Sequence, residues 1–91
     1  PNILVSLSQG NTILFADQHY QEVEQFFAPL GLVQWVSDEQ QLDAYTVLTG
    51  CGPGYLFLMM QTVIDAAVAL NIPAQDAKTA VLQLFSGAAQ M

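Results

Sequence analysis

Basic side chains are almost absent from this sequence. Lys78 is the single one, against eight aspartates and glutamates, and the formal net charge is −7. Nucleic acid and anionic lipid both carry negative charge and would be repelled by so acidic a chain. We therefore expect neither nucleic acid nor a membrane as a partner. The sequence also offers no group of Arg and Lys residues that could clamp a phosphate.

Cysteine is equally scarce. Cys51 is the single one, which excludes an internal disulfide and favours a reducing compartment. No positively charged segment precedes an apolar run, so no signal peptide is predicted, and we expect the protein to be cytoplasmic. His19 has no Cys, His or acid at the spacing of metal ligands, so no metal site is predicted.

Charged residues of either sign make up 10% of the chain, whereas hydrophobic residues make up 53%. A small domain has too much surface to cover with so few charges, so a second chain, a further domain or a membrane has to cover the excess. The most apolar stretch, Pro53 to Leu70, is interrupted by Gln61, Thr62 and Asp65 and has no basic anchor. A membrane is therefore the least favoured of the three.

Residues 1–36 carry the signals of an open α/β sheet. The predicted order is β-β-α-β: a strand Ile3–Leu7, a strand Thr12–Phe15, a helix with Asp17 as its N-cap that Pro29 and Gly31 end, and a strand Leu32–Val36. Sequential strands with one intervening helix are typical of part of an α/β domain rather than of a complete one.

Residues 37–91 carry helix signals alone, so we place a domain boundary at Ser37. Ser37 to Gln40 resembles a capping box. The predicted helices are Asp38 to Leu48, Pro53 to Leu70, ended by Asn71 in a left-handed conformation, and Pro73 to Gly87. The glycines between residues 50 and 54 are expected to break the chain between two helices. The predicted fold class is therefore α/β followed by an all-α segment.

The Pro53–Leu70 helix is apolar on nearly every side. Its apolar residues are Tyr55, Leu56, Phe57, Leu58, Met59, Met60, Val63, Ile64, Ala66 and Ala67. Such a helix has to be buried on every side, and one neighbouring helix cannot enclose it. We therefore expect it to lie at the centre of an intertwined homodimer.

The segment Asp43–Phe57 closely resembles the pattern D-A-x-T-x-L-S-G-S-G-P-A-Y-x-F of the pyrroline-5-carboxylate reductases. Weaker similarities flank it: Pro1-Asn2, Gly10-x-Thr12, Ile64-Asp65-Ala66-Ala67 and Gly87-Ala88-Ala89 resemble the family's M-P-N, G-x-T, A-D-A-A and G-A-A segments. The resemblance implies the last β-β-α-β of a Rossmann-type nucleotide domain over residues 1–36. It implies the start of an interlocking helical dimerisation domain over residues 37–91.

The resemblance also implies an activity: reduction of 1-pyrroline-5-carboxylate to L-proline with NADPH or NADH, in a homodimer. The family's glycine-rich nucleotide fingerprint is not among these residues, since Gly50–Gly54 follows a helix and Tyr55 stands where a third glycine belongs. The family's loop for the substrate carboxylate is missing too. We therefore expect this segment to be inactive alone.

Three site residues follow from the resemblance. Thr46 matches the threonine beside the substrate nitrogen, where its hydroxyl would donate or relay a proton. Asn2 and Pro53 match segments near the nicotinamide and are the candidate cofactor contacts, with a structural role as the alternative for each. The competing interpretation of Thr46 is structural: its hydroxyl would bond to the carbonyl of Leu42, one helical turn earlier.

Two alternative functions stay open. The chain could be a helical dimerisation module without catalysis. It could also come from a paralogue that reduces another cyclic imine, because Cys51 replaces the usual serine of the family pattern and Gly54 the usual alanine.

Overall fold

The computed structural model describes residues 1–91, which divide into two compact units, Pro1–Pro53 and Gly54–Met91. In chain order the elements are a 3₁₀ helix Ile3–Leu7, strand β1 Gly10–Leu14, helix α1 Gln21–Phe27, a 3₁₀ turn Ala28–Leu30, strand β2 Gly31–Trp35, helix α2 Gln41–Tyr45, a π-helical turn Thr46–Gly50 (the π-turn), helix α3 Gly52–Ala69 and helix α4 Ala74–Ala89.

The first unit is built on a βαβ arrangement. Strands β1 and β2 pair in parallel, from Gly10 opposite Gly31 to Leu14 opposite Trp35, and α1 makes the crossover between them. Parallel strands need such a crossover because a tight turn can join only antiparallel ones. The predicted fold class, α/β followed by helices, is confirmed.

The predicted first strand is wrong. Residues Ile3–Leu7 form a 3₁₀ helix, in which the side chain of Asn2 accepts a hydrogen bond from the backbone N–H of Leu4. Ser8 ends this helix in a left-handed conformation, with φ at 56°. Val5 then folds back over the start of β1, where its Cγ1 lies 2.5 Å from the point that a Cβ on Gly10 would occupy. The β-rich composition of this run is overridden by its cap and by that contact. The observed order is therefore β-α-β preceded by a 3₁₀ helix.

The two predicted helix N-caps are also wrong. Helix α1 begins at Gln21 with Tyr20 at its N-cap, and Asp17 instead accepts a hydrogen bond from the Tyr20 hydroxyl at 2.8 Å. At the second site Asp38, not Ser37, makes the turn, because its Oδ1 accepts from the backbone N–H of Gln40 at 2.9 Å. This Asx-type turn takes up the residues expected to start the helix.

The glycine-rich segment interrupts the helical path less than expected. The π-turn follows α2 directly, and Cys51 has right-handed dihedral angles (φ −88°, ψ −20°) as the chain enters α3. Pro53 lies in the first turn of α3, as predicted. Asn71 is left-handed, with φ at 70°, and α4 begins directly after Pro73, so both of these predictions are confirmed.

In the single chain α3 keeps most of its apolar surface open. Pro53 is its one buried residue, and on α4 Ala77 and Val81 are buried. The open side chains of α3 include Tyr55, Leu56, Phe57, Leu58, Met59, Val63 and Val68. By length and composition alone, the helical run Gln41–Ala69 could also cross a membrane. Either a second chain or a bilayer could therefore cover the open apolar surface of α3.

Candidate active-site cleft

A cleft of about 170 Å³ lies in the first unit, between β1 and the helical run that follows β2. Its β1 side consists of Asn11 and Ile13, which share a face of the strand because alternate residues point the same way. The remaining lining residues are Pro1, Leu42, Tyr45, Thr46, Thr49 and Gly50. Three hydroxyl-bearing side chains from the helical run, those of Tyr45, Thr46 and Thr49, therefore meet the amide of Asn11 from the sheet.

Thr46 lines this cleft, but its hydroxyl proton is already engaged. The hydroxyl donates to the carbonyl of Leu42 at 2.8 Å. This is the contact expected from the structural interpretation of Thr46. The oxygen still has lone pairs with which to accept a hydrogen bond from a ligand. To donate a proton, however, Thr46 must first release Leu42.

Asn2 uses both ends of its side-chain amide within the protein. Its Oδ1 accepts from the backbone N–H of Leu4 at 3.1 Å, and its Nδ2 donates to the backbone carbonyl of Thr49 at 2.9 Å. Asn2 does not line the cleft itself, but Thr49 does. Pro53 is buried and is not among the lining residues. The structure therefore places Thr46 in the cleft, Asn2 one hydrogen bond away from it, and Pro53 apart from it. Direct cofactor contacts by Asn2 and Pro53 stay predictions.

The sequence reasoning missed Asn11, Tyr45 and Thr49. The signal for the last two was available, since positions 42, 45, 46 and 49 follow helical spacing and share one face. Asn11 is informative because its amide is only half satisfied: Nδ2 donates to Gln34 Oε1 at 2.9 Å, whereas the buried Oδ1 has no partner. A buried acceptor without a donor costs about 1–3 kcal/mol, so this wall of the cleft is not packed for stability alone.

A second polar cluster lies outside the cleft, where α1 meets β2. Glu24 accepts a hydrogen bond from the indole N–H of Trp35 at 3.3 Å and pairs with His19. The His19 ring also lies against Trp35, with ring centroids 4.7 Å apart. The hydrogen bond with His19 lowers the pKa of the Glu24 carboxyl below its ordinary value, and the Trp35 indole lowers that pKa further.

This cluster gives a pH prediction. Because its folded-state pKa is lowered, Glu24 contributes stability that is present above pH 4.5, its ordinary pKa, and is lost as the pH falls through the lowered value. Fluorescence of Trp35, the single tryptophan, should therefore titrate with a midpoint below 4.5. His19→Leu removes the largest cause and should raise that midpoint, whereas Glu22→Gln should leave it in place. A midpoint that His19→Leu does not move would contradict the pairing.

Comparison with known families identifies the chain. Residues 39–91 match the sequence model of the family described as pyrroline-5-carboxylate reductase dimerisation. The chain belongs to this family. Over its whole length it is 36% identical to the pyrroline-5-carboxylate reductase of Pseudomonas aeruginosa and 34% identical to that of Haemophilus influenzae, covering 35% of each. The resemblance that Asp43–Phe57 suggested is thereby confirmed.

Solved pyrroline-5-carboxylate reductases share the backbone as well. The structure from Coxiella burnetii superposes with a TM-score of 0.90 at 33% identity, covering 100% of this chain and 36% of that one. The Plasmodium falciparum enzyme, solved with NADP bound, gives 0.91 at 27% identity, covering 100% of this chain and 39% of that one. The chain thus spans little more than a third of the length of these family members.

The residues of this chain do not fit the phosphates of a dinucleotide. Lys78 is the single basic side chain and lies on α4, outside the lining of the cleft. The glycines of residues 50–54 follow a helix rather than a strand. We therefore assign the binding of the nucleotide phosphates to none of these residues.

Proposed function

We propose that these residues are part of an NAD(P)H-dependent reductase that converts 1-pyrroline-5-carboxylate to L-proline. The observation that carries the proposal is the family match over residues 39–91, together with similarity to complete reductases along the whole chain. The reaction reduces a C=N bond and requires a proton at the ring nitrogen. A nicotinamide nucleotide would supply the hydride when bound.

In this proposal the two units have different tasks. Residues Gly54–Met91 carry the apolar helix surface, which a second copy of the chain would cover to form a homodimer. The first unit supplies a cleft wall with Thr46 at its surface. The chain alone should be inactive, because its cleft has no basic side chain and its glycine-rich segment follows a helix rather than a strand. The single cysteine supports a cytoplasmic location, which stays a prediction.

Thr46 is proposed to hold or relay the proton for the ring nitrogen. A hydroxyl seldom acts as an acid unaided, so a water molecule or a neighbouring group has to share this task. The bond to the Leu42 carbonyl orients the hydroxyl. Release of that bond would free the proton without moving the helix.

The activity is tested on the complete reductase that contains these residues. Loss of NADPH or NADH absorbance is followed with 1-pyrroline-5-carboxylate, and a cyclic imine of larger ring size is assayed beside it. Faster turnover of the five-membered imine supports the proposal. Preference for the larger ring favours the paralogue. A stable dimer that reduces neither compound would favour a non-catalytic dimerisation module, an alternative that the open surface of α3 supports.

Thr46→Val in that reductase should lower turnover roughly a hundredfold, in the range of general acid–base catalysis. Thr46→Ser should restore most of it, because the hydroxyl returns. Thr62→Val is the matched control, since the Thr62 hydroxyl makes the same kind of bond, to the Leu58 carbonyl at 2.9 Å, but lies on α3 and is not a lining residue of the cleft. Unchanged turnover in Thr46→Val would end the catalytic assignment and leave the structural one.

A further inference from the structure

The backbone carbonyl of Thr49 lacks its ordinary helical donor for a reason visible in the sequence. In an α-helix this carbonyl would accept from the N–H of the residue four positions later, which is Pro53. Proline has no N–H, and its ring also presses against the carbonyl of the fourth residue before it. Thr49 therefore needs a donor from elsewhere, and the helix needs a local change of path.

Asn2 supplies a donor from 47 positions away in the sequence. Its Nδ2 lies 2.9 Å from the Thr49 oxygen. The other end of the amide is held by the N–H of Leu4, so the 3₁₀ helix fixes the direction in which Nδ2 points. The amide of Asn2 thus takes the place of the backbone N–H that Pro53 lacks.

The change of path is the π-turn. Within it, the N–H of Cys51 donates to the carbonyl of Thr46 at 2.9 Å, a bond five residues long rather than four. Such insertions are rare and are frequent at functional sites. Thr46 begins this turn and lines the cleft, so the geometry of the turn sets where its side chain is presented.

We propose that Asn2 is a positioning residue: its amide anchors the Thr49 carbonyl, stabilises the π-turn beside Pro53, and so orients Thr46 in the cleft. Asn2 then acts on the reaction through Thr46 rather than through the cofactor. The part of this inference that concerns turnover rests on the proposed function. The part that concerns the π-turn does not.

The structural part is tested by amide hydrogen exchange on the 91-residue chain. Asn2→Ser keeps an N-cap oxygen for Leu4 but loses the donor to Thr49. The Cys51 amide should then exchange roughly five- to tenfold faster, the range of one hydrogen bond. Unchanged exchange at Cys51 overturns the proposal. If Asn2→Ser fails to fold, the test uses the unsubstituted chain. There the side-chain amide protons of Asn2 should be protected from exchange with solvent. Exchange of these protons at the rate of a free amide would overturn the proposal.

Pro53→Ala provides the complementary variant, because alanine returns a backbone N–H that can reach Thr49. Asn2→Ser should therefore change Cys51 exchange by a smaller factor in the Pro53→Ala background than in the unsubstituted chain. An equal factor in both backgrounds would mean that Asn2 and Pro53 act independently, contrary to the proposal.

The kinetic part uses the complete reductase. Asn2→Ser should lower kcat several-fold while the dissociation constant of the nucleotide stays the same. If the dissociation constant of the nucleotide rises while kcat is unchanged, Asn2 is a direct cofactor contact and the positioning role is overturned. A complete protein without reductase activity would refute the proposed function, and the Cys51 exchange result would still decide the inference about the π-turn.

Discussion

Leu58→Glu is expected to dissociate the dimer that α3 is proposed to form. The Leu58 side chain is 70% exposed in the single chain, and burial against a second copy would be worth about 1.5–3 kcal/mol for each leucine. A dimer contains two copies of the chain, so this contribution is lost twice. Burial of each glutamate would in addition cost desolvation free energy. The dissociation constant should therefore rise by at least about a hundredfold, which sedimentation equilibrium at micromolar concentration measures.

The chain offers a closely matched control. Leu7 is 72% exposed, lies in the 3₁₀ helix of the first unit, and has no part in the proposed interface. Leu7→Glu introduces the same charge at the same exposure and should leave the association state unchanged. Dissociation by both substitutions would show that added charge, rather than α3 contact, is responsible. An unsubstituted chain that stays a folded monomer at micromolar concentration would refute the dimer itself.

Gly31→Ala should destabilise the first unit by roughly 2–5 kcal/mol. Gly31 has φ at 136°, which side-chain-bearing residues rarely adopt, and a Cβ there would lie 2.2 Å from the backbone oxygen of Gly10. Because the clash is with backbone of the paired strand, rotation of a side chain cannot relieve it. The free energy of unfolding is measured with denaturant and Trp35 fluorescence, which reports on the pairing of β1 and β2 because Trp35 ends β2.

Gly54→Ala is the control for this prediction. A Cβ on Gly54 meets nothing within 4 Å, and the family pattern that the chain resembles has alanine at this position. Helical glycine costs about 0.5–1 kcal/mol relative to alanine, so this variant should be slightly more stable than the unsubstituted chain. Equal destabilisation by Gly31→Ala and Gly54→Ala would contradict the close contact between Gly10 and Gly31.

The prediction of the fold succeeded where a local signal was decisive. Asn71 before Pro73 predicted a left-handed helix end, and the structure has it. The run Ile3–Leu7 failed because its composition favours a strand, whereas the cap from Asn2 and the packing of Val5 on Gly10 favour a tight helix. Contacts of this kind do not appear in the periodicity of a sequence.

The candidate site was predictable only in part. The family pattern around Thr46 pointed to the right helix, and helical spacing could have added Tyr45 and Thr49. Asn11 could not have been found, since its place in the cleft depends on the packing of α2 beside β1. The partner of the Thr46 hydroxyl was foreseen as an alternative, and the structure shows that contact.

The amino-acid sequence determined the family, the order of the main helices and the excess of apolar surface on α3, because short motifs, helical periods and composition are properties of neighbouring residues. Only the tertiary structure decided that the amide of Asn2, 47 positions away, is the group that meets the Thr49 carbonyl. The physical reason is that a carbonyl deprived of its local donor can be satisfied by any amide that the fold brings within reach, and no pattern along the chain says which one that is.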